Sequence, residues 1–178
     1  MTLSLTDAKS ILETPKRLTN IHQWIVARNR EGCAQVLKFE ARIEIDGVLP
    51  RGVWFRSIVI PQYTDTATFQ LDCDQPSNRS HIPLYRLEWR PFRSHTNGNN
   101  GPEELRGLFF PAGTTHEHNC LDHASHKEGR ILSGGVQTAR KIEPDLVSFA
   151  EALRRACDIL LIMNHEAIPP PKVQGELF

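Results

Sequence analysis

The 178 residues suffice for one ordinary domain with its own apolar core, and two compact domains would be a squeeze. Charged residues make up 24% of the chain, yet Lys plus Arg and Asp plus Glu each number 21, so the formal charge is zero. That balance excludes a protein that coats nucleic acid by bulk charge, keeps any nucleic-acid site local, and eases association with a second copy or a protein partner.

In chain order, Leu5, Ala8, Ile11 and Leu12 have helical spacing behind the N-cap candidates Ser4 and Thr6, and Pro15 ends or kinks the segment. Leu18, Ile21, Trp24 and Ile25 keep the 3.6 period up to Asn29 and Gly32, so the N-terminal quarter reads as α. Residues 36–45 then alternate, with Leu37, Phe39, Ala41, Ile43 and Ile45 on one side and charged residues on the other, as in a half-exposed strand. After the Asp46-Gly47 turn, residues 53–60, 66–73 and 82–90 continue the strand pattern. In the last of these, Tyr85, Leu87 and Trp89 face one way and Leu84, Arg86, Glu88 and Arg90 the other.

A loop rich in Asn, Gly and Ser spans residues 91–102, and Leu108, Phe109 and Phe110 lead towards Thr114 and Thr115 as a fifth strand. Gly134-Gly135 marks a turn, and Pro144 suits the first turn of a helix whose stripe runs through Leu146, Phe149, Leu153, Ala156, Cys157, Leu160 and Met163. Pro169 to Pro171 then force an extended tail in which Leu177 and Phe178 are the apolar residues. The expected fold class is α+β: an N-terminal helix or helices, a mainly antiparallel sheet of about five strands, and a long C-terminal helix packed on the sheet. Residues 1–167 form the single domain and 168–178 the proline-rich extended tail.

Cys33, Cys73, Cys120 and Cys157 include no CxxC pair, so they read as reduced thiols. No stretch approaches the roughly 18 to 20 apolar residues that span a bilayer, which predicts no membrane association and a cytoplasmic location.

Five of the eight histidines lie between residues 95 and 126, most of them in the run from His116 to His126. On a strand, His116 and His118 share one face with Glu117 on the other, so two imidazoles converge on one ligand. Three chemistries fit. His116, His118, Cys120, His123 and His126 are donors for zinc or another transition metal, although their spacing matches no diagnostic motif. Alternatively, paired imidazoles cleave RNA by acid–base catalysis with no cofactor required: one takes the ribose 2′-OH proton, the other protonates the leaving oxygen, and Arg86 stabilises the phosphorane. A Cys120 nucleophile beside His118 or His123 is the third. The bland alternative is a solvated polar loop, with Arg86 and Glu88 an exposed charge pair worth about 0 to 1 kcal/mol.

The segment Leu84-Tyr85-Arg86-Leu87-Glu88-Trp89, then His95 and Asn97, then Gly113-Thr114-Thr115-His116-Glu117-His118 resembles a family of small prokaryotic proteins of unknown function. In that family an L-x-R-x-D strand precedes a His-Asn loop and a proline-histidine-x-histidine strand. The opening through Pro15-Lys16-Arg17 and the proline-bearing end with Gln174 fit the same family. It is similar in turn to the TumE-type toxins of toxin–antitoxin systems. The resemblance implies a ribonuclease toxin of a mobile-element or defence system, with Arg86, Glu88, His116, His118 and His95 as catalytic candidates. RNA would be the substrate and an antitoxin the partner, while the zero formal charge is also compatible with a homodimer. The alternative is a non-catalytic module that holds a protein or a metal on the same face. Here Glu88 replaces the usual aspartate, Thr115 stands where a proline commonly precedes the first histidine, and the run from Cys120 to His126 is additional.

Overall fold

A computed structural model of the protein describes residues 3–28, 35–61, 65–74, 81–99, 101–123 and 136–172. Helix α1 (Leu5–Glu13) begins with a reciprocal cap. The Ser4 hydroxyl accepts the Asp7 amide at 3.0 Å and the Asp7 carboxylate accepts the Ser4 amide at 3.2 Å. The segment after it is not helical. Strands β1 (Lys16–Thr19) and β2 (Ile25–Arg28) pair antiparallel with opposite halves of β3 (Gln35–Ile45). Asn20, at φ 52°, interrupts any helix between them, and both segments instead bond to the edge that β3 presents.

From β3 the chain meanders through β4 (Val53–Val59), β5 (Ala67–Asp74) and β6 (His81–Trp89), each antiparallel to the last. A small hairpin follows, β7 (His95–Thr96) against β8 (Phe109–Phe110), and lies outside the main sheet. The main sheet resumes with β9 (His116–Asn119) beside β6. The short helix α2 (Cys120–His123) follows, and β10 (Ala139–Lys141) then pairs with β9. The described strands thus form an eight-stranded sheet in the order β1-β3-β4-β5-β6-β9-β10, with β2 also on β3.

This overturns the α+β expectation: the described residues are mostly antiparallel sheet, with three short α-helices among them. The expected long C-terminal helix is α3 (Phe149–Ile159), 11 residues long. It starts at Ser148, whose hydroxyl accepts the Glu151 amide, so Pro144 and Leu146 precede it. It stops because Leu161 takes a positive φ of 53° and the chain joins β1. The Lys16 amide donates to Leu161 and the Met163 amide to Lys16, both at 2.9 Å. Pairing with β1 therefore removes Met163 from the helical stripe.

The core lies on one face of the sheet, where Phe39, Phe55, Phe69, Leu71, Leu87 and Trp89 are buried with Ala152, Leu153, Ala156 and Cys157 of α3. Phe149 docks on Phe69 with ring centres 5.4 Å apart, and the Trp89 indole donates to the Leu146 carbonyl at 2.8 Å. Buried Lys16 donates to the Leu12 and Leu160 carbonyls and so ties the ends of α1 and α3 together; burial pushes its amine down to about 8. The Trp24 indole donates to the Pro169 carbonyl at the start of the tail. Cys73, Cys120 and Cys157 are free thiols. Asn29, Gly32, Cys33, His126, Gly134-Gly135, Gln174, Leu177 and Phe178 lie outside the described residues. Among the described residues no helix is long and apolar enough to cross a membrane.

Candidate metal centre

Strands β6 and β9 are adjacent because the chain leaves β6 at Pro91, makes the β7–β8 excursion and turns back at Gly113, whose amide donates to the Pro91 carbonyl at 2.7 Å. Gly113 has φ 82°, a conformation glycine adopts without strain. The resulting register sets Glu88 opposite His116 and Arg86 opposite His118. Strand alternation keeps all four off the core face, which Leu87 and Trp89 occupy. On the core side of β9, Glu117 accepts the Tyr85 hydroxyl at 2.7 Å.

The β7–β8 hairpin covers the histidines. His95 stacks on His116 with centres 5.5 Å apart and meets His118 edge-on at 5.0 Å, while Phe110 lies 5.3 Å from His116. His116 and His118 are consequently sealed, whereas Glu88 and Arg86 keep a partly exposed edge. The hairpin is fixed by buried Asn97, whose amide nitrogen donates to the Leu105 and Ala139 carbonyls. Its oxygen must then accept, from the Ala139 amide at 2.7 Å and from His95 Nε2 at 2.9 Å. Asn97 thereby places the His95 proton on Nε2 and leaves the lone pair on Nδ1.

The same reasoning fixes His116. Its Nδ1 lies 2.8 Å from the Thr114 carbonyl, which can only accept, so Nδ1 carries a proton and Nε2 points inward. That buried Nε2 has no hydrogen-bond partner and sits 3.5 Å from Glu88 Oε2. A lone pair facing a carboxylate oxygen needs a cation or a proton between them. His118 Nε2 is 4.0 Å from the other carboxylate oxygen and 3.3 Å from an Arg86 nitrogen, which can only donate; its Nδ1 is buried without a partner.

Charge follows from these contacts. Burial, and then the adjacent Arg86 guanidinium, hold His118 neutral by lowering it to about 2. Burial opposes ionisation of Glu88, but a proton shared between His116 Nε2 and the carboxylate, and then the Arg86 guanidinium, outweigh it and keep the carboxyl at about 2; a cation in that proton's place would act in the same sense. Arg86 Nε lies 2.8 Å from Glu88 Oε1 without an aligned hydrogen bond, so the pair is held by charge.

Glu88, His116 and His118 each offer one ligand atom, all within 4.8 Å of one another, and together can hold a metal ion. Two imidazoles and one carboxylate leave coordination positions open for water or substrate, as catalytic sites require. The Nδ1–H of His116 on a backbone carbonyl is the outer contact that orients a metal-ligating imidazole.

Of the residues singled out in the sequence, Arg86, Glu88, His95, His116 and His118 meet at this site. Cys120 does not join the group. It is buried at the start of α2, and burial pushes its thiol up to about 12, which suits neither a nucleophile nor a ready ligand. The His123 side chain and all of His126 lie outside what the structure describes. Sequence reasoning cast Glu88 as catalytic and missed it as a ligand, although its shared face with Arg86 was visible. It also missed Phe110 and the clamp by Asn97, which depend on contacts across the fold.

No protein-family model matches the chain, and neither a curated protein nor a solved structure matches it.

Proposed function

We propose that the protein is a metal-dependent phosphodiesterase acting on RNA, with Glu88, His116 and His118 as ligands of zinc or a similar divalent ion. The observation that carries this reading is the group of Glu88, His116 and His118, whose ligand atoms lie within 4.8 Å of one another, with the buried His116 Nε2 3.5 Å from Glu88 Oε2. A bound divalent ion supplies a Lewis acid for a phosphoryl oxygen and activates water. Arg86, partly exposed beside the ligands, binds a non-bridging phosphate oxygen. His95, half-buried with its Nδ1 lone pair fixed by Asn97, accepts the proton of the attacking oxygen. Sealed and neutral, His118 suits a ligand better than a proton shuttle. The resemblance to toxins extends the reading to a prokaryotic mobile-element or defence system, with an antitoxin as partner.

The test is to measure bound metal by mass spectrometry and incubate wild type, Glu88→Gln and His116→Ala with labelled RNA, with and without EDTA. Stoichiometric metal, EDTA-sensitive cleavage and loss of both in Glu88→Gln support the proposal. Cleavage that survives EDTA and leaves a cyclic phosphate returns the histidines to metal-free acid–base chemistry. Metal without RNA cleavage makes the protein a metal-binding module instead.

A further inference from the structure

Arg86 touches two of the groups at the candidate metal centre, and those contacts decide what a metal ion has to displace. One terminal guanidinium nitrogen lies 3.3 Å from His118 Nε2 and 3.4 Å from the Val136 carbonyl. The Nε lies 2.8 Å from Glu88 Oε1. A guanidinium only donates, so His118 Nε2 is the accepting nitrogen and the neutral ring carries its proton on Nδ1. An accepting imidazole nitrogen has a single lone pair in the plane of the ring. The Arg86 N–H and a metal ion therefore cannot hold His118 Nε2 together. Glu88 is less exclusive, because a carboxylate has lone pairs enough to serve a metal and a guanidinium at once.

Arg86 gives up little on leaving. Its two terminal bonds are at the long end of hydrogen-bond distances, and its contact with Glu88 is short but without hydrogen-bond alignment. Strand register sets Arg86 between Gln70 on β5 and His118 on β9, and the Gln70 amide already donates to Asp72. The way out is thus towards solvent, where the side chain is 28% exposed. A divalent ion and a guanidinium side by side repel each other, and an anion placed between them turns that repulsion into two attractions.

We propose that Arg86 is a switch that couples metal binding to phosphate binding: a metal ion takes His118 Nε2 and expels the guanidinium, which then presents its donors to a phosphodiester oxygen. This inference rests on the metal-dependent phosphodiesterase reading and names how that site is regulated. By linkage, an anion that holds Arg86 away from His118 raises metal affinity by the same factor by which the metal raises affinity for the anion. The site is completed only when metal and phosphodiester are both present, so each partner recruits the other.

The experiment measures zinc affinity of the full chain by competition with a chromophoric chelator, with dimethyl phosphate as the phosphodiester probe and sodium chloride holding ionic strength constant. In the wild type an excess of dimethyl phosphate should tighten zinc binding about tenfold, within the roughly 5- to 150-fold range of such couplings. Calorimetry should show the reciprocal effect, with the zinc-loaded protein binding dimethyl phosphate about tenfold more tightly than the EDTA-stripped protein. In Arg86→Met the anion should change zinc affinity by less than about twofold. Arg86→Gln, a polar replacement should Arg86→Met fail to fold, should lose the coupling in the same way. Coupling of wild-type size in these variants would mean that the anion binds the metal directly, which overturns the role of Arg86. Wild-type zinc binding that dimethyl phosphate leaves unchanged would overturn the switch and leave the metal centre standing. Failure of the folded wild type to load zinc would overturn the metal centre and the switch with it.

Discussion

The two faces of the sheet use alternate residues of the same strands and solve opposite problems. On one, Phe69, Leu71, Leu87 and Trp89 pack against α3, and burial of apolar surface is the stabilising term. On the other, Thr68, Gln70, Arg86 and Glu88 lead to two sealed histidines, each facing the Glu88 carboxylate through its Nε2. Burying charged and polar groups on that face stabilises the fold less than apolar burial does, because they give up hydration. The contrast teaches that one face is built for folding, while the other gathers groups that could hold a metal ion.

Mutations on the two faces should separate stability from function, and the largest expected effect is on the core side. Phe69→Ala should lower stability by about 3 to 5 kcal/mol, and Leu153→Ala by about 2 to 5, read from urea midpoints. Losses below about 1 kcal/mol would mean that the α3 face is not the main core. One residue row away, Glu88→Gln should keep the fold while metal affinity falls at least about 100-fold, since loss of a ligand exceeds the loss of an outer contact. An equal affinity would remove Glu88 from the metal centre.

Acid should also distinguish the faces. His118 is held near 2 in the folded protein against an ordinary value of 6.5, so the unfolded chain takes up a proton that the native site refuses. Its contribution is complete above pH 6.5 and is lost as pH falls from 6.5 towards 2, by up to about 1.4 kcal/mol per pH unit. Glu88, lowered from 4.5 to about 2, adds a loss of the same sign only below 4.5. In EDTA, urea midpoints should therefore drop between pH 7 and 5 in wild type, and His118→Asn should flatten that segment. Parallel pH profiles for the two proteins would show that His118 is not held neutral.

A smaller change is expected from Arg86, whose guanidinium competes with a cation for His118 Nε2. Arg86→Met should bind zinc about tenfold more tightly yet cleave RNA more slowly, because a positive charge leaves both the ligand site and the phosphate site. Unchanged zinc affinity would place Arg86 too far away to compete. The smallest effect belongs to the exposed Lys9–Glu13 pair on α1, 3.8 Å apart, where Glu13→Gln should alter stability by less than about 0.5 kcal/mol.

Particular residues show how far the sequence could be read. Alternation located β3 to β6, because each side chain's face follows from the period of two and needs no knowledge of neighbours. The same period put His116 and His118 on one side of β9, and Arg86 and Glu88 on one side of β6. The helical spacing of Leu18, Ile21, Trp24 and Ile25 misled, because four apolar residues satisfy a helix locally while β3 offers them backbone partners from elsewhere in the chain. Residues 108–115 misled as well: Phe109 and Phe110 pair with β7 outside the main sheet, and the strand that joins β6 starts at His116.

What the sequence determined by itself was therefore local: an N-terminal helix capped at Ser4 or Thr6, the alternating strands, the polar character of one face and the dense histidine run. Tertiary structure decided which strands are neighbours, since pairing is chosen by contacts between residues far apart in the chain. That choice set Glu88 across from His116 and folded the His95 hairpin over both histidines. Burial then removed water from nitrogens that a loop would have left solvated, and made a histidine-rich segment into a site that can hold an ion.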